Sequence, residues 1–196
     1  MTRLSYTKAL DRILRPLGFL REGKDWVRTR GDIWHCVNLQ KSRIDGGMTA
    51  NLYCKDLETH RILKSIECDV TLGVIPQYER IGKLIDGVDR WWKNDPNGPV
   101  ELADAVRVHG LRWFDRVQTL EDQASLWYTR AATASRWNSA TLTPLAVTLY
   151  RLGALDEALS LFDAPVPRTA VLSWVARGRC VQRWLEGHKR STRAGR

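Results

Sequence analysis

The chain has 196 residues, and its 31 Lys and Arg against 22 Asp and Glu give a formal net charge of +9. The hydrophobic fraction of 43% is ordinary for a globular protein, which excludes wholesale disorder and a fibrous repeat. No apolar run approaches the roughly 20 residues that cross a bilayer, and Met1–Lys8 lacks the apolar core of a secretory signal. We therefore expect a cytoplasmic protein that makes no contact with a membrane, built as one domain with or without a helical appendage.

The cysteines and histidines predict core packing and no metal site. Cys36, Cys54, Cys68 and Cys180 include no CxxC pair, and a disulfide scaffold is unusual in a chain of this length without an export signal. We expect four buried, reduced thiols. No two of the four histidines have the spacing of a helical zinc site, so neither a metal ion nor another cofactor is predicted.

The first element in chain order is an amphipathic helix. Leu10 and Leu14 belong to a series of apolar residues at helical spacing, which predicts a helix over Ser5–Arg15. Pro16 and Gly18 end it.

Residues 20–75 then change to the alternating pattern of β-strands. Gly31-Asp32 and Asp45-Gly46-Gly47 are turn signals between apolar–polar runs, and the clearest alternation lies over residues 66–72. One polar and one apolar face is typical of an antiparallel sheet covered by a helix on one side. We therefore predict an antiparallel sheet of about four strands over residues 20–75.

After Pro76 the apolar spacing becomes helical again, with Trp91 and Trp92 on one helical stripe. The turn formers of Asn94–Pro99 end that helix and mark a boundary, and the remainder of the chain has a helical pattern.

The predicted fold class is thus α+β: an N-terminal helix packed on an antiparallel sheet, followed by an all-helical C-terminal region. The predicted domains are an α+β domain over residues 1–95, a helical region over 99–187 and a basic tail over 188–196. Residues 145–162 are similar to part of one tetratricopeptide unit, which predicts a single helical hairpin.

Polar and aromatic residues at the end of the sheet pattern form the strongest candidate binding surface. The candidate residues are Arg28, Arg30, Trp34, Asn38, Gln40, Lys41, Ser42 and Arg43. Their amide, ammonium, hydroxyl and guanidinium groups can hold an anionic or amide-rich partner, and the two arginines of the preceding strand could extend them into one basic stripe. Trp34 lies among polar neighbours, where it could anchor a partner. The alternative is a solvated charged face that discourages sheet-edge association.

Three segments carry a family resemblance. The run LGFLREGKDW at residues 17–26, the run VNLQKS at residues 37–42, and Asn51-Leu52-Tyr53 resemble the bacterial domain-of-unknown-function 4304 family over roughly residues 5–95. The resemblance implies an α+β fold and assigns no activity to any residue.

We therefore predict a non-enzymatic, cytoplasmic protein that binds another protein, in the manner of an immunity or scaffold protein. The chain contains no G-x-S-x-G motif and no glycine-rich phosphate loop, so no catalytic residue is predicted. The alternative is a nucleic-acid-binding accessory protein that uses the basic residues of the sheet and the tail. An enzyme whose site is dispersed over several elements is a third hypothesis.

Overall fold

The computed structural model describes residues 4–66, 68, 76–93, 95–133, 138–168 and 170–194. The chain forms two compact units whose segments alternate along the sequence. The first unit is Met1–Lys55 with Pro76–Gln118, and the second is Asp56–Ile75 with Thr119–Arg196.

The first unit is a mixed α+β unit. Its elements are α1 (Tyr6–Leu14), a 3₁₀ turn (Arg15–Leu17), β1 (Leu20–Glu22), β2 (Asp25–Arg30), β3 (Ile33–Lys41), β4 (Met48–Asp56), β5 (Gln77–Arg80), α3 (Ile81–Asp86), α4 (Gly98–Ala105), a π-helical turn (Val106–Gly110) and α5 (Leu111–Asp115). The strands form one antiparallel sheet in the order β1-β2-β3-β4-β5. The predicted fold class is confirmed, with five strands in place of about four.

Helix α1 begins and ends where its sequence indicates. The Ser5 hydroxyl oxygen accepts a hydrogen bond from the Lys8 amide, which satisfies one of the free donors of the first turn. Leu10 and Leu14 are completely buried on the apolar stripe. The chain leaves the helix through Gly18, whose φ of +82° is accessible to glycine at little cost.

The two faces of the sheet differ in chemistry. The inner face packs against helices: Trp26 is fully buried and donates a hydrogen bond of 2.8 Å from Nε1 to Asp11 Oδ1 of α1. On the same face Leu52 lies so close to the π-helical turn that a Cβ on Gly110 would be 3.3 Å from its Cδ1. We call the opposite face the polar face. The residues that the strand registers place on it include Asp25, Thr29, Trp34, Asn38, Asn51, Tyr53, Tyr78 and Arg80.

The segment after Pro76 is only partly helical, so the helix predicted through Trp92 is wrong over most of its length. It begins as strand β5, and α3 has six residues before Gly87 ends it with a φ of +78°. Val88 then crosses so close to α3 that a Cβ on Gly82 would be 2.6 Å from the Val88 carbonyl oxygen. Trp92 pairs with Met48 through two backbone hydrogen bonds of 2.8 Å. The apolar residues of this segment are thus spaced as in one helix but belong to several short elements, each with its own contacts.

The second unit is helical in its described residues. Its helices are α2 (Leu57–Ser65), α6 (Leu120–Thr133), α7 (Ser139–Arg151), α8 (Leu155–Ser160) and α9 (Leu172–Ala194). Helix α7 is buried along almost its whole circumference, as expected of a central helix. Its Leu145 and Val147 belong to an apolar cluster with Trp127 and Leu185. The tetratricopeptide-like segment folds as α7 and α8, and no helix in the described ranges combines the length and apolar character that a membrane span requires.

Helix α2 replaces part of the predicted sheet. Asp56 caps it by accepting a hydrogen bond of 2.6 Å from the Thr59 amide, and Leu63 packs into the apolar cluster of the second unit. The predicted strand over residues 66–72 falls mostly outside the described residues. The predicted ranges 1–95 and 99–187 do not coincide with the two units, because the chain leaves the first unit for α2 and returns to it until Gln118.

Two of the four cysteines form a disulfide, so the prediction of four reduced thiols is wrong for this pair. Cys68 and Cys180 are joined across a sequence separation of 112 residues, with their Cα atoms 5.8 Å apart. Such a distant pairing follows from the fold and leaves no spacing signal in the sequence. Cys36 and Cys54 are buried, reduced thiols, as expected. Burial raises the pKa of Cys36 to about 12, which keeps its thiol protonated and unreactive.

Candidate binding site

A hydrogen-bond network of polar side chains crosses four strands on the polar face. Asn38 Nδ2 of β3 donates to Asp25 Oδ1 of β2. Asn51 Nδ2 of β4 donates to Gln40 Oε1 at 2.7 Å and to Asn38 Oδ1 at 3.3 Å. The two amides predicted as binding residues, Asn38 and Gln40, are thus linked through Asn51, which is 4% exposed.

Arg80 of β5 extends the network to the far strand. Its Nε donates to Asn51 Oδ1 at 3.2 Å, and its Nη2 donates to Gln40 Oε1 at 3.4 Å. Its Nη1 donates to Asp89 Oδ2 at 2.5 Å, and this hydrogen bond lowers the pKa of the Asp89 carboxyl. The guanidinium also stacks on Trp91, 5.2 Å from the ring centroid. Three acceptors and a ring therefore hold one cation in a fixed orientation.

Aromatic rings surround this network on the same face. Trp34 is half-buried, and the Lys55 ammonium lies 4.6 Å from its ring centroid. Tyr53 and Tyr78 face each other across β4 and β5 with ring centroids 6.0 Å apart. Tyr78 is 48% exposed, which makes it the most accessible ring of the group. The face thus offers rings, amides and cations together.

Three further predicted residues lie where β3 ends: Lys41 is the last residue of the strand, and Ser42 and Arg43 begin the loop that joins it to β4. Ser42 Oγ accepts hydrogen bonds from the amides of Ile44 at 3.2 Å and Asp45 at 3.4 Å, which closes a tight turn. Lys41 and Arg43 are exposed on either side of Ser42. Ile44 at the tip is 98% exposed. The end of β3 and this loop therefore present two cations and one apolar side chain at one end of the sheet.

Arg28 does not belong to the polar face, so the single basic stripe that the sequence suggested is wrong. Arg28 pairs in register with His35 on the inner face, where it is 8% exposed. Its guanidinium carbon lies 4.4 Å from the Phe19 ring centroid, and its Nη1 donates to the Leu17 carbonyl at 3.4 Å. Arg30 lies two residues further along the same strand and is exposed.

His35 is the buried partner of Arg28. Arg28 Nε donates to His35 Nδ1 at 3.3 Å, and the other ring nitrogen, Nε2, is 3.4 Å from the Val117 carbonyl. These contacts suit a neutral ring that accepts at Nδ1 and donates at Nε2. Burial is the main cause that lowers the pKa of His35 to about 4, and the positive charge of Arg28 adds to it.

The stability of the protein should therefore fall on acidification. In the unfolded chain His35 takes up a proton near its ordinary pKa of 6.5, whereas the folded protein resists protonation until about pH 4. The stability that comes from keeping this ring neutral is fully present above pH 6.5. As the pH falls from 6.5 toward 4, the free energy of unfolding decreases by about 3 kcal/mol in total. Urea unfolding at pH 7 and pH 4.5 should show a smaller pH dependence in His35→Gln than in the wild type. Equal pH dependence in both proteins would contradict this assignment.

Sequence reasoning missed Arg80, Asp89 and Trp91 as members of the site. All three lie in the segment that the apolar spacing assigned to a helix, and their positions depend on the register between β4 and β5. The sequence indicates Asn51 only through the family resemblance. Its central position follows from the pairing of β4 with β3 on one side and β5 on the other, which no local pattern reveals.

Within the described residues, no group of three or more His, Cys, Asp or Glu side chains is arranged to hold a metal ion. These features define an α+β unit with a polar and aromatic sheet face, in a chain that also contains a helical unit. A family model described as a domain of unknown function (DUF4304) matches residues 10–115, more than half of the chain. The chain therefore belongs to this family, as its three sequence segments indicated. No curated protein and no solved structure matches it.

Proposed function

We propose that the protein is a non-enzymatic binding protein that docks another protein on the polar face of its sheet, as an immunity or scaffold protein does. One observation carries the proposal: the partly exposed rings of Trp34, Tyr53 and Tyr78 share this face with the cations of Lys55 and Arg80. Tyrosine, tryptophan and arginine are the residues that contribute most often to the energetic centre of protein interfaces.

The hydrogen-bond network supports binding because it fixes the surface in advance. Arg80 is held by Asn51, Gln40 and Asp89, so little side-chain freedom remains to be lost when a partner binds. A partner that presents backbone carbonyls, carboxylates or aromatic side chains would complement these amides and cations.

A protein partner suits this face better than a nucleic acid. Arg28 is buried on the inner face, and Lys41 and Arg43 lie together at one end of the sheet. A phosphate backbone is followed by a row of exposed cations, whereas this face alternates rings, amides and single charges. We keep nucleic-acid binding as an outcome of the test.

The proposal includes the cytoplasmic location that the sequence indicated. Disulfides are rare in reducing compartments, so the Cys68–Cys180 disulfide is the structural feature that argues against that location.

The test is a comparison of tyrosine variants in affinity capture from nuclease-treated native lysate. The full-length wild type should retain a stoichiometric protein partner, and Tyr78→Ala should retain it at least about tenfold less, since a central interface ring contributes about 2 kcal/mol or more. Tyr128→Ala is the matched control, because Tyr128 is 37% exposed on α6 and is not part of the polar face, so the change should leave capture unchanged.

Circular dichroism should show that both variants remain folded. Equal capture by wild type and Tyr78→Ala would contradict the proposal. So would capture that disappears on nuclease treatment, which would instead favour the nucleic-acid alternative.

A further inference from the structure

A second feature of the first unit has no part in the proposed docking face. An open cavity of about 380 Å³ lies between α3, the strand-like segment after it and α4 with the π-helical turn. Its volume is in the range of sites that bind small molecules. The residues on which the argument depends are Ile85, Arg90, Trp92, Glu101, Asp104 and His109.

The helical wall of the cavity contains an unusual turn. Glu101 and Ala105 line it from α4, and Val108 and His109 line it from the π-helical turn Val106–Gly110. A π-helical turn contains more residues than an α-helical turn, so it rotates the residues that follow relative to those before it. Turns of this kind occur often at functional sites. His109, which this turn carries, lines the cavity together with Glu101.

The opposite wall is set by a close backbone contact. The segment Val88–Arg90 passes over α3 at Gly82, where a Cβ would lie 2.5 Å from the Arg90 amide nitrogen. The Arg90 guanidinium forms an ion pair with Asp86 at the end of α3. The contact therefore fixes the position from which Arg90 enters the lining of the cavity.

The charges of the cavity are separated between these walls. Glu101 and Asp104 bring carboxylates to the helical wall, whereas Arg90 brings a cation to the other. Asp104 is paired with Arg107, and Arg90 with Asp86. In the described part of the chain, the Glu101 carboxylate and the His109 ring have no hydrogen-bond or ion-pair partner, so both can bind a ligand. The lining also includes the apolar side chain of Ile85 and the Trp92 side chain, which is mostly buried.

We propose that this cavity binds a small zwitterion with an apolar body, the chemical class of free α-amino acids with apolar side chains. The ligand's ammonium group would be held by Glu101, with Asp104 beside it, and its carboxylate by Arg90. The apolar body would lie against Trp92 and Ile85, which removes its surface from water. His109 can donate a further hydrogen bond to a carboxylate oxygen.

The experiment uses the purified full-length protein and isothermal titration calorimetry. The probes are L-phenylalanine and L-leucine, with 3-phenylpropionate lacking the ammonium group and phenethylamine lacking the carboxylate. At least one amino acid should bind with a Kd of about 1 mM or tighter. Both single-charge compounds should bind at least about tenfold more weakly than L-phenylalanine, because each lacks one of the two ion pairs that the zwitterion forms with the cavity.

Variants distinguish this cavity from other sites. Glu101→Gln should weaken L-phenylalanine binding by about tenfold or more and leave binding of 3-phenylpropionate unchanged. Glu22→Gln is the matched control, because Glu22 is exposed on β1 at the other edge of the sheet. Failure of both amino acids to bind at millimolar concentration would overturn the proposal. Equal affinity for phenethylamine, or an unchanged affinity in Glu101→Gln, would overturn it as well.

Discussion

Replacing Asp56 with alanine is expected to destabilise the second unit by about 3–5 kcal/mol, because it removes one partner of a buried ion pair. The Asp56 side chain is 4% exposed, and its Oδ1 bonds the Arg151 guanidinium of α7. The same oxygen caps α2 through the Thr59 amide at 2.6 Å. Arg151 would remain largely buried and would lose its ion pair with Asp56, and the loss of such a pair from a buried charge is costly. Urea unfolding and amide hydrogen exchange of α2 and α7 measure the loss.

An exposed ion pair of the same unit provides the comparison. Lys189 and Asp156 form an ion pair in which the Asp156 side chain is 85% exposed, and Asp156→Ala should change stability little. In a double-mutant cycle, Asp56→Ala combined with Arg151→Met should cost less than the sum of the two single changes. A loss below about 1 kcal/mol for Asp56→Ala would show that solvent screens this pair as it screens surface pairs.

Phe114→Ala is the second substitution with a large expected effect, a loss of about 3–5 kcal/mol from the first unit. The ring is completely buried, 5.9 Å from the Phe19 ring and 4.6 Å from the His35 ring by their centroids. Its removal leaves a cavity beside the Arg28 and His35 pair, and water that enters would stabilise the charged imidazole. The variant should therefore combine lower stability with a His35 pKa that moves up from about 4 toward 6.5.

Nuclear magnetic resonance titration of the His35 ring measures this pKa separately from the stability. Phe114→Leu provides the control, because it keeps most of the buried volume and should show a smaller change in both quantities. If Phe114→Ala loses stability while its His35 pKa stays near 4, then Phe114 packs the core but does not exclude water from the Arg28 and His35 pair.

The elements that could be predicted from the sequence are those whose pattern is local. Ser5 with the apolar stripe ending at Leu14 identifies α1, and the glycine-containing turn at residues 31–32 identifies the β2–β3 hairpin. In both cases the residues that specify the element lie within a few positions of one another. The helical character of the C-terminal region follows in the same way from apolar spacing.

Features that depend on distant residues could not be predicted. The sequence pattern places residues 57–65 in the sheet, yet Leu63 and Asp56 contact helices more than sixty residues further along the chain. The disulfide between Cys68 and Cys180 likewise joins residues that are 112 positions apart in the sequence. On the candidate site, Asn38 and Gln40 were found from their polar run, whereas Arg80 required the register of β5 with β4.

Because the chain leaves the first unit for α2 and then returns, the boundaries of the family match are unsuitable for choosing a fragment to express. A fragment cut to the family match, residues 10–115, would contain α2 but none of α6 to α9. The apolar side chains of Ile62, Leu63 and Ile66, which pack in the second unit, would then face water and favour aggregation. The similarity boundary at residue 115 is therefore not a folding boundary, and physical studies should begin with the whole polypeptide.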